Sequence, residues 1–175
     1  MAKIVKHVQD FARPNEKWGR SRISINDVIT SSLELVSEQV RIRSIPIDVQ
    51  FSEPDVFVDV NPIALEQVVL NLVANACDAI EAGAPPGGGL IRIRTEAFSK
   101  EAVIKIQDNG VGISPEHLEK IYRPFFTTKP AGRGTGLGLS ISQRIVSAYL
   151  GRIQCESVPG RGATFAVHLP AAVGE

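Results

Sequence analysis

A chain of 175 residues is sized for one domain, and such a domain buries about 70% of the surface its unfolded form exposes, so neither a disulfide nor a structural metal is required to hold it. Lys and Arg together number 19, as do Asp and Glu, and zero formal charge argues against a nucleic-acid backbone or an anionic membrane surface as the main partner. The longest apolar runs fall short of the ~20 residues that cross a bilayer and no signal peptide is evident, so the expected location is cytoplasmic, whether or not a parent protein is membrane-anchored.

In chain order, Ile4, Val8 and Phe11 fall at helical spacing without a capping start, which reads as the last turns of a truncated helix over residues 1–13. Arg13-Pro14-Asn15 breaks it, and a polar linker is expected over 14–23. Asn26 is a good N-cap for a helix to about Arg43, with Val28, Leu33, Leu35, Val36 and Val40 inward. Ile45 to Phe51 alternates like a strand, and Val56 to Val60 is a second, short one. Asn61-Pro62 opens a helix in the order cap then Pro, and the apolar spacing carries it to about Ala82.

After a Gly/Pro-rich turn, Leu90 to Phe98 and Ala102 to Gln107 read as a hairpin. A short helix starts at Ser114-Pro115, residues 122–136 are a glycine-punctuated loop, and Leu137 to Leu150 returns to helix. Arg152 to Ser157 and Ala163 to Leu169 close as a second hairpin, with a tail over 171–175. The sum is an α/β (α+β) two-layer sandwich, a mixed sheet of about five strands with three helices on one face, in a single domain spanning 24–170. Cys77 and Cys155 lack metal or redox spacing and read as small buried residues of a reducing compartment.

Three segments carry chemistry. In N-L-V-A-N-A-C-D-A, Asn71 and Asn75 are four apart and share a helix face. They are either solvated or internally satisfied amides, or carbonyl oxygens facing Mg²⁺, an ion that takes few protein ligands beside substrate phosphates. In D-N-G-V-G, Asp108 follows a strand and is either a turn-former or the acceptor for the exocyclic amine of adenine. Third, Y-R-P-F-F-T-T-K runs into G-R-G-T-G-L-G-L, with glycines ending at a helix start, where backbone N–H groups bind anions. This is neither a P-loop nor a dinucleotide fingerprint: no Gly-Lys-Ser/Thr occurs, and Leu137 and Leu139 stand where the last glycine would be. Phe125 and Phe126 are awkward in a solvated linker and fit a lid that docks when nucleotide binds.

In this order and spacing the segments closely resemble the N box, first glycine box, F box and second glycine box of sensor histidine kinases, within the gyrase, heat-shock chaperone, histidine kinase and mismatch-repair ATPase superfamily. The resemblance covers about residues 24–170 and includes the terminal G-R-G-A-T-F-A-V-H-L-P hairpin. The F-F-T-T-K form looks most like the nitrogen- and dicarboxylate-sensing branch. The resemblance implies a Bergerat-type ATP-binding fold with ATP and Mg²⁺ as cofactors. It makes Asn75 the metal ligand, sets Asn71 on the phosphate side, and gives Asp108 adenine with Gly110 and Gly112 beside the base and Thr164 behind it. The lid from Tyr122 to Gly136, with Thr128, Gly134, Thr135, Leu137 and Gly138, would cover the phosphates. Lys129 ranks first as cation for the γ-phosphate, Arg123 second and Arg133 third.

Two departures matter. Many histidine kinases carry Lys three residues after the metal Asn; here Asp78 stands there, suited to orient water or a neighbouring lid cation rather than to hold phosphate. Other branches of the superfamily place a water-activating Glu where this chain has Asn71, and an amide takes no proton at neutral pH. That favours transfer to a better nucleophile over ATP hydrolysis, the alternative reading together with an anti-sigma-factor-like serine kinase. His7, His117 and His168 are followed by Val, Leu and Leu, whereas a phosphoacceptor of this family precedes Glu or Asp. The acceptor is therefore expected on a separate dimerisation domain of the same parent. A response-regulator receiver domain is the further partner, and the chain is expected to be monomeric although the parent is a homodimer.

Overall fold

The computed structural model describes residues 19–130 and 134–172, so the expected helical stub, residues 14–18 of the linker, Arg133 and residues 173–175 of the tail lie outside the described residues. The described elements run β1 (Ser21–Ser24), α1 (Ile25–Ile42), β2 (Ile47–Gln50), β3 (Phe57–Val60), α2 (Pro62–Gly83), β4 (Ile91–Ala97), β5 (Glu101–Asp108), α3 (Pro115–Leu118), α4 (Gly138–Ala148), β6 (Arg152–Ser157) and β7 (Ala163–Pro170). Five strands form the main sheet in the order β2-β4-β5-β7-β6. The β2–β4 pair is parallel and needs a crossover, which α2 supplies; the other pairs are antiparallel.

Period-two alternation sets the faces. Along β7, Ala163, Phe165, Val167 and Leu169 are buried, while Thr164, Ala166 and His168 turn to the opposite side. The helices cover the buried face. α2 is the central one: Asn61 Oδ1 accepts from the Ala64 N–H at 3.0 Å, Pro62 follows, and Leu65, Val68, Val69, Leu72 and Val73 are each at most 2% exposed. Each such side chain contributes about 1.5–3 kcal/mol by leaving water. Its 22 residues and mean hydropathy of 1.4 would suffice to cross a membrane, beyond what the apolar runs suggested, yet half of that apolar window is buried in the domain core.

Three expectations change in detail. Ser24, not Asn26, caps α1: Ser24 Oγ accepts from the Asp27 N–H at 3.0 Å, while Asn26 Oδ1 accepts from the Thr95 hydroxyl at 2.8 Å and ties α1 to β4. Leu35 is 63% exposed rather than inward. The last residues of the expected linker form β1, antiparallel to β3 with Ile23 opposite Val58. This two-stranded piece joins the main sheet through a Val58–Ala171 bridge and an Ala172 N–H···O=C Phe57 bond of 2.7 Å.

Candidate functional site

The face of α2 opposite its buried stripe collects all four motifs. Asn71 Nδ2 donates to the Gly138 carbonyl at 3.4 Å and to Ser142 Oγ at 3.3 Å. A carbonyl can only accept, so this contact fixes which end of the amide faces α4. One turn on, Asn75 Oδ1 accepts from Lys129 Nζ at 3.1 Å, and Lys129 Nζ also donates to Asp78 Oδ2 at 2.5 Å. The other oxygen of Asp78 takes Arg43 Nη1 at 3.0 Å, and Arg43 Nε lies 3.4 Å from Glu81. Burial pushes the Asp78 carboxyl up, but hydrogen bonds and charge from Lys129 and Arg43 outweigh it and leave its pKa below the ordinary value. One turn further, the Ala79 carbonyl accepts from the Val111 N–H at 3.1 Å. Asn71 to Ala79 spans about 12 Å along the axis.

The loop after β5 is wedged against that last turn. A Cβ on Gly110 would lie 2.4 Å from the Ala79 carbonyl carbon, so only glycine allows this approach. Gly112 sits against the β6–β7 turn, where the Gly160 N–H donates to the Val111 carbonyl at 2.7 Å. Asp108 is 5% exposed and its Oδ1 accepts from the Gly110 N–H at 2.8 Å. Burial raises its pKa, opposed by the N–H groups of Gly110 and Ala163.

Thr164 does not stand behind this carboxylate. It pairs with Gln107 and Glu156, and directly paired residues share a sheet face, which places Thr164 opposite Asp108 and Ala163. Ala163 is the β7 residue at Asp108. Thr164 instead lines a hollow of ≈ 190 Å³ with Gln107, Glu156 and Arg161. A second hollow, of ≈ 330 Å³, lies between Arg43, Ile80, Glu81 and the 85–89 loop. Neither includes the asparagines, and the Lys129 ammonium lies on Asn75.

The lid residues divide. Tyr122 is half-buried and its hydroxyl donates to the Ile153 carbonyl at 3.5 Å; burial pushes the phenol pKa well up. Phe126 packs on the core with its ring 5.6 Å from that of His117, whereas Phe125 is 69% exposed. The Phe125 N–H donates to the Gly136 carbonyl at 2.9 Å, and Gly136, at φ 66°, leaves only 2.4 Å between a would-be Cβ and the Phe125 carbonyl carbon. Arg123 and Thr128 are exposed, and Gly134 packs beside Thr127 and Lys129. The Leu137 side chain is 1% exposed and belongs to the core. Thr135 Oγ1 accepts from the Leu137 N–H at 3.4 Å, and no side chain caps α4, so the N–H groups of its first turn are not used by a cap. Sequence reasoning missed Arg43, Ala163 and Ser142. Ser142 carried a signal, a polar residue four after Gly138 that is fully buried on α4.

Among the described residues no three His, Cys, Asp or Glu side chains cluster as a metal site. The donor set nonetheless fits Mg²⁺ held jointly with phosphates: Asn75 Oδ1 already accepts a cation, beside a carboxylate.

A helix face meeting a glycine loop, a lid and an open helix start defines a nucleotide-binding α/β sandwich. The chain belongs to the histidine kinase-, DNA gyrase B- and HSP90-like ATPase family, whose model matches residues 60–173. It is 39% identical over 174 residues to the signal transduction histidine-protein kinase AtoS of Escherichia coli K12, covering 96% of this chain but only 26% of AtoS. The catalytic domain of histidine kinase ThkA in nucleotide-free form superposes with a TM-score of 0.73 at 32% identity, over 86% of this chain and 97% of that one. ThkA in complex with the response regulator TrrA gives 0.79 at 27%, over 98% and 47%. Full-length ShkA in complex with AMPPNP gives 0.84 at 26%, over 98% and 36%.

Proposed function

We propose that this domain binds Mg-ATP along α2 and presents the γ-phosphoryl group to a histidine on a separate dimerisation domain of the same parent, as the kinase core of a two-component signalling protein. The convergence of Asn71, Asn75, Lys129, the α4 start and the Asp108 loop on one helix face carries the reading. Asp108, ionised, accepts from the adenine amine, with Gly110 holding the loop close to α2. The first-turn N–H groups of α4, joined to Asn71 through Gly138, cradle phosphate oxygens. Asn75 would hold Mg²⁺, which when bound supplies charge neutralisation on the β- and γ-phosphates. Lys129 turns from Asn75 to the γ-phosphate. Asn71 cannot take a proton from water, which favours transfer over hydrolysis.

The partners follow from the same reading: a histidine-bearing helical domain, then a receiver domain, in line with ThkA bound to TrrA. The setting is cytoplasmic, and the parent is a homodimer. ATP titrated calorimetrically into wild type with and without Mg²⁺ should show tighter binding with the metal, and Asn75→Ala should erase that difference. Equal Mg²⁺ enhancement in both proteins makes Asn75 a packing residue and removes the metal assignment.

A further inference from the structure

We propose that Asp78, backed by Arg43, holds the Lys129 ammonium on the Asn75 carbonyl oxygen in the nucleotide-free domain, so that Mg-ATP binds by displacing this built-in cation. The displacement rests on the reading of Asn75 as metal ligand; the contact itself does not. Lys129 Nζ lies 3.1 Å from Asn75 Oδ1 and 2.5 Å from Asp78 Oδ2, although 51 residues separate Lys129 from Asp78. Asp78 is itself fixed from behind by Arg43 at 3.0 Å, and Arg43 by Glu81 at 3.4 Å. The carboxylate is therefore oriented whether or not Lys129 is present. The Lys129 and Asp78 side chains are only 32% and 31% exposed, so solvent screens the pair incompletely.

Charge makes the contact exclusive. Lys129, Arg43, Asp78 and Glu81 sum to zero as they stand. A divalent ion on the same Asn75 oxygen would face the ammonium at contact range, and the two cations repel. When Lys129 leaves, Arg43, Asp78 and Glu81 carry a net negative charge, which favours the incoming metal. The device also ties the lid to α2: Gly134 packs on the Lys129 stem, and the Phe125 N–H is bonded to Gly136, so holding Lys129 holds both arms of the loop. Asp78 is a positioning residue in this scheme, acting on the metal through Lys129.

Chymotrypsin reads the lid at its aromatic arm, since it cuts after Phe125 and Phe126. In nucleotide-free protein, Asp78→Asn and Lys129→Met should each raise the chymotryptic rate there at least threefold. The double variant should go no further than either single, and Asp78→Glu should return most of the protection. By calorimetry, the ratio of ATP affinity with Mg²⁺ to that without it should rise at least threefold in Lys129→Met, which frees Asn75 and keeps the Asp78 charge. Circular dichroism melting shows that each variant is folded. Unchanged cleavage in both single variants, or additive effects in the double, overturns the latch even if wild type binds Mg-ATP. Wild type that binds no Mg-ATP while the cleavage pattern holds overturns the nucleotide reading, and the displacement with it.

Discussion

Asp108 is a buried carboxyl whose proposed ligand role comes at the expense of the fold. A carboxyl whose folded pKa is raised favours the folded state fully only below its unfolded value of about 3.8, and loses that contribution as pH rises through the folded pKa. At neutral pH the charge therefore opposes folding, and two N–H groups only partly offset its burial. In the proposed function its use is as an acceptor. ATP affinity should be greatest where Asp108 is ionised and should weaken as pH falls through its raised pKa, starting at a higher pH than a solvated Asp would give. Asp108→Asn should bind ATP at least tenfold more weakly at neutral pH, about 1.4 kcal/mol, with no such titration. Calorimetry at several pH values decides it, and a variant matching wild type at neutral pH removes the adenine role. Thr164 carries the complementary lesson. The G-A-T-F run was readable but its phase was not, since a one-residue shift moves a side chain across the sheet.

At the scale of elements, periodicity was enough for α2, α4 and the five main strands, because each has several apolar residues on one face. β1 was hidden: in Ser21-Arg22-Ile23-Ser24 a single apolar residue alternates with polar ones, and only the pairing to β3 makes it a strand. Two N-cap types, Ser24 and Asn26, stood two apart, and the tertiary bond from Thr95 to Asn26 decided between them. Leu35 was placed inward by its type, whereas the docking of α1 left it exposed. In the site, the paired asparagines and the Asp108 loop were legible as motifs. The pairing of Asp78 with Arg43 was not, since the two lie 35 residues apart with no local pattern between them. The contact between the Asp108 loop and α2 is the junction most sensitive to size. Gly110→Ala places a Cβ 2.4 Å from backbone that cannot turn aside. It should cost about 1–3 kcal/mol in denaturant unfolding and loosen ATP binding together with the fold. An unchanged midpoint would mean that the loop stands off α2 in solution.

For the whole molecule, the proposed function makes the arrangement half of a reaction. In the proposed function everything converging on α2 serves the donor, and among the described residues neither histidine is placed as an acceptor. The His117 ring lies tilted against that of Phe126, and His168 Nδ1 lies 3.0 Å from Glu101 on the face of the sheet away from the helices. His7 precedes Val and lacks the adjacent carboxylate that would assist an acceptor. The chain spans only 26% of AtoS, leaving ample room in a relative of that length for the missing half. The 175-residue chain should therefore bind Mg-ATP and yet not label itself. In dilute solution it should run as a monomer, because a paired helical bundle needs far more apolar surface than the dozen residues before Arg13 bring. Supplying the histidine-bearing domain of the same parent as a separate chain should restore acid-labile phosphohistidine. The rate should be slow, since the high effective concentration of a covalent tether is lost. Incubation with γ-labelled ATP is the measurement. Stable label on the isolated chain that disappears in His7→Ala would move the acceptor into the chain and turn a donor domain into a complete kinase.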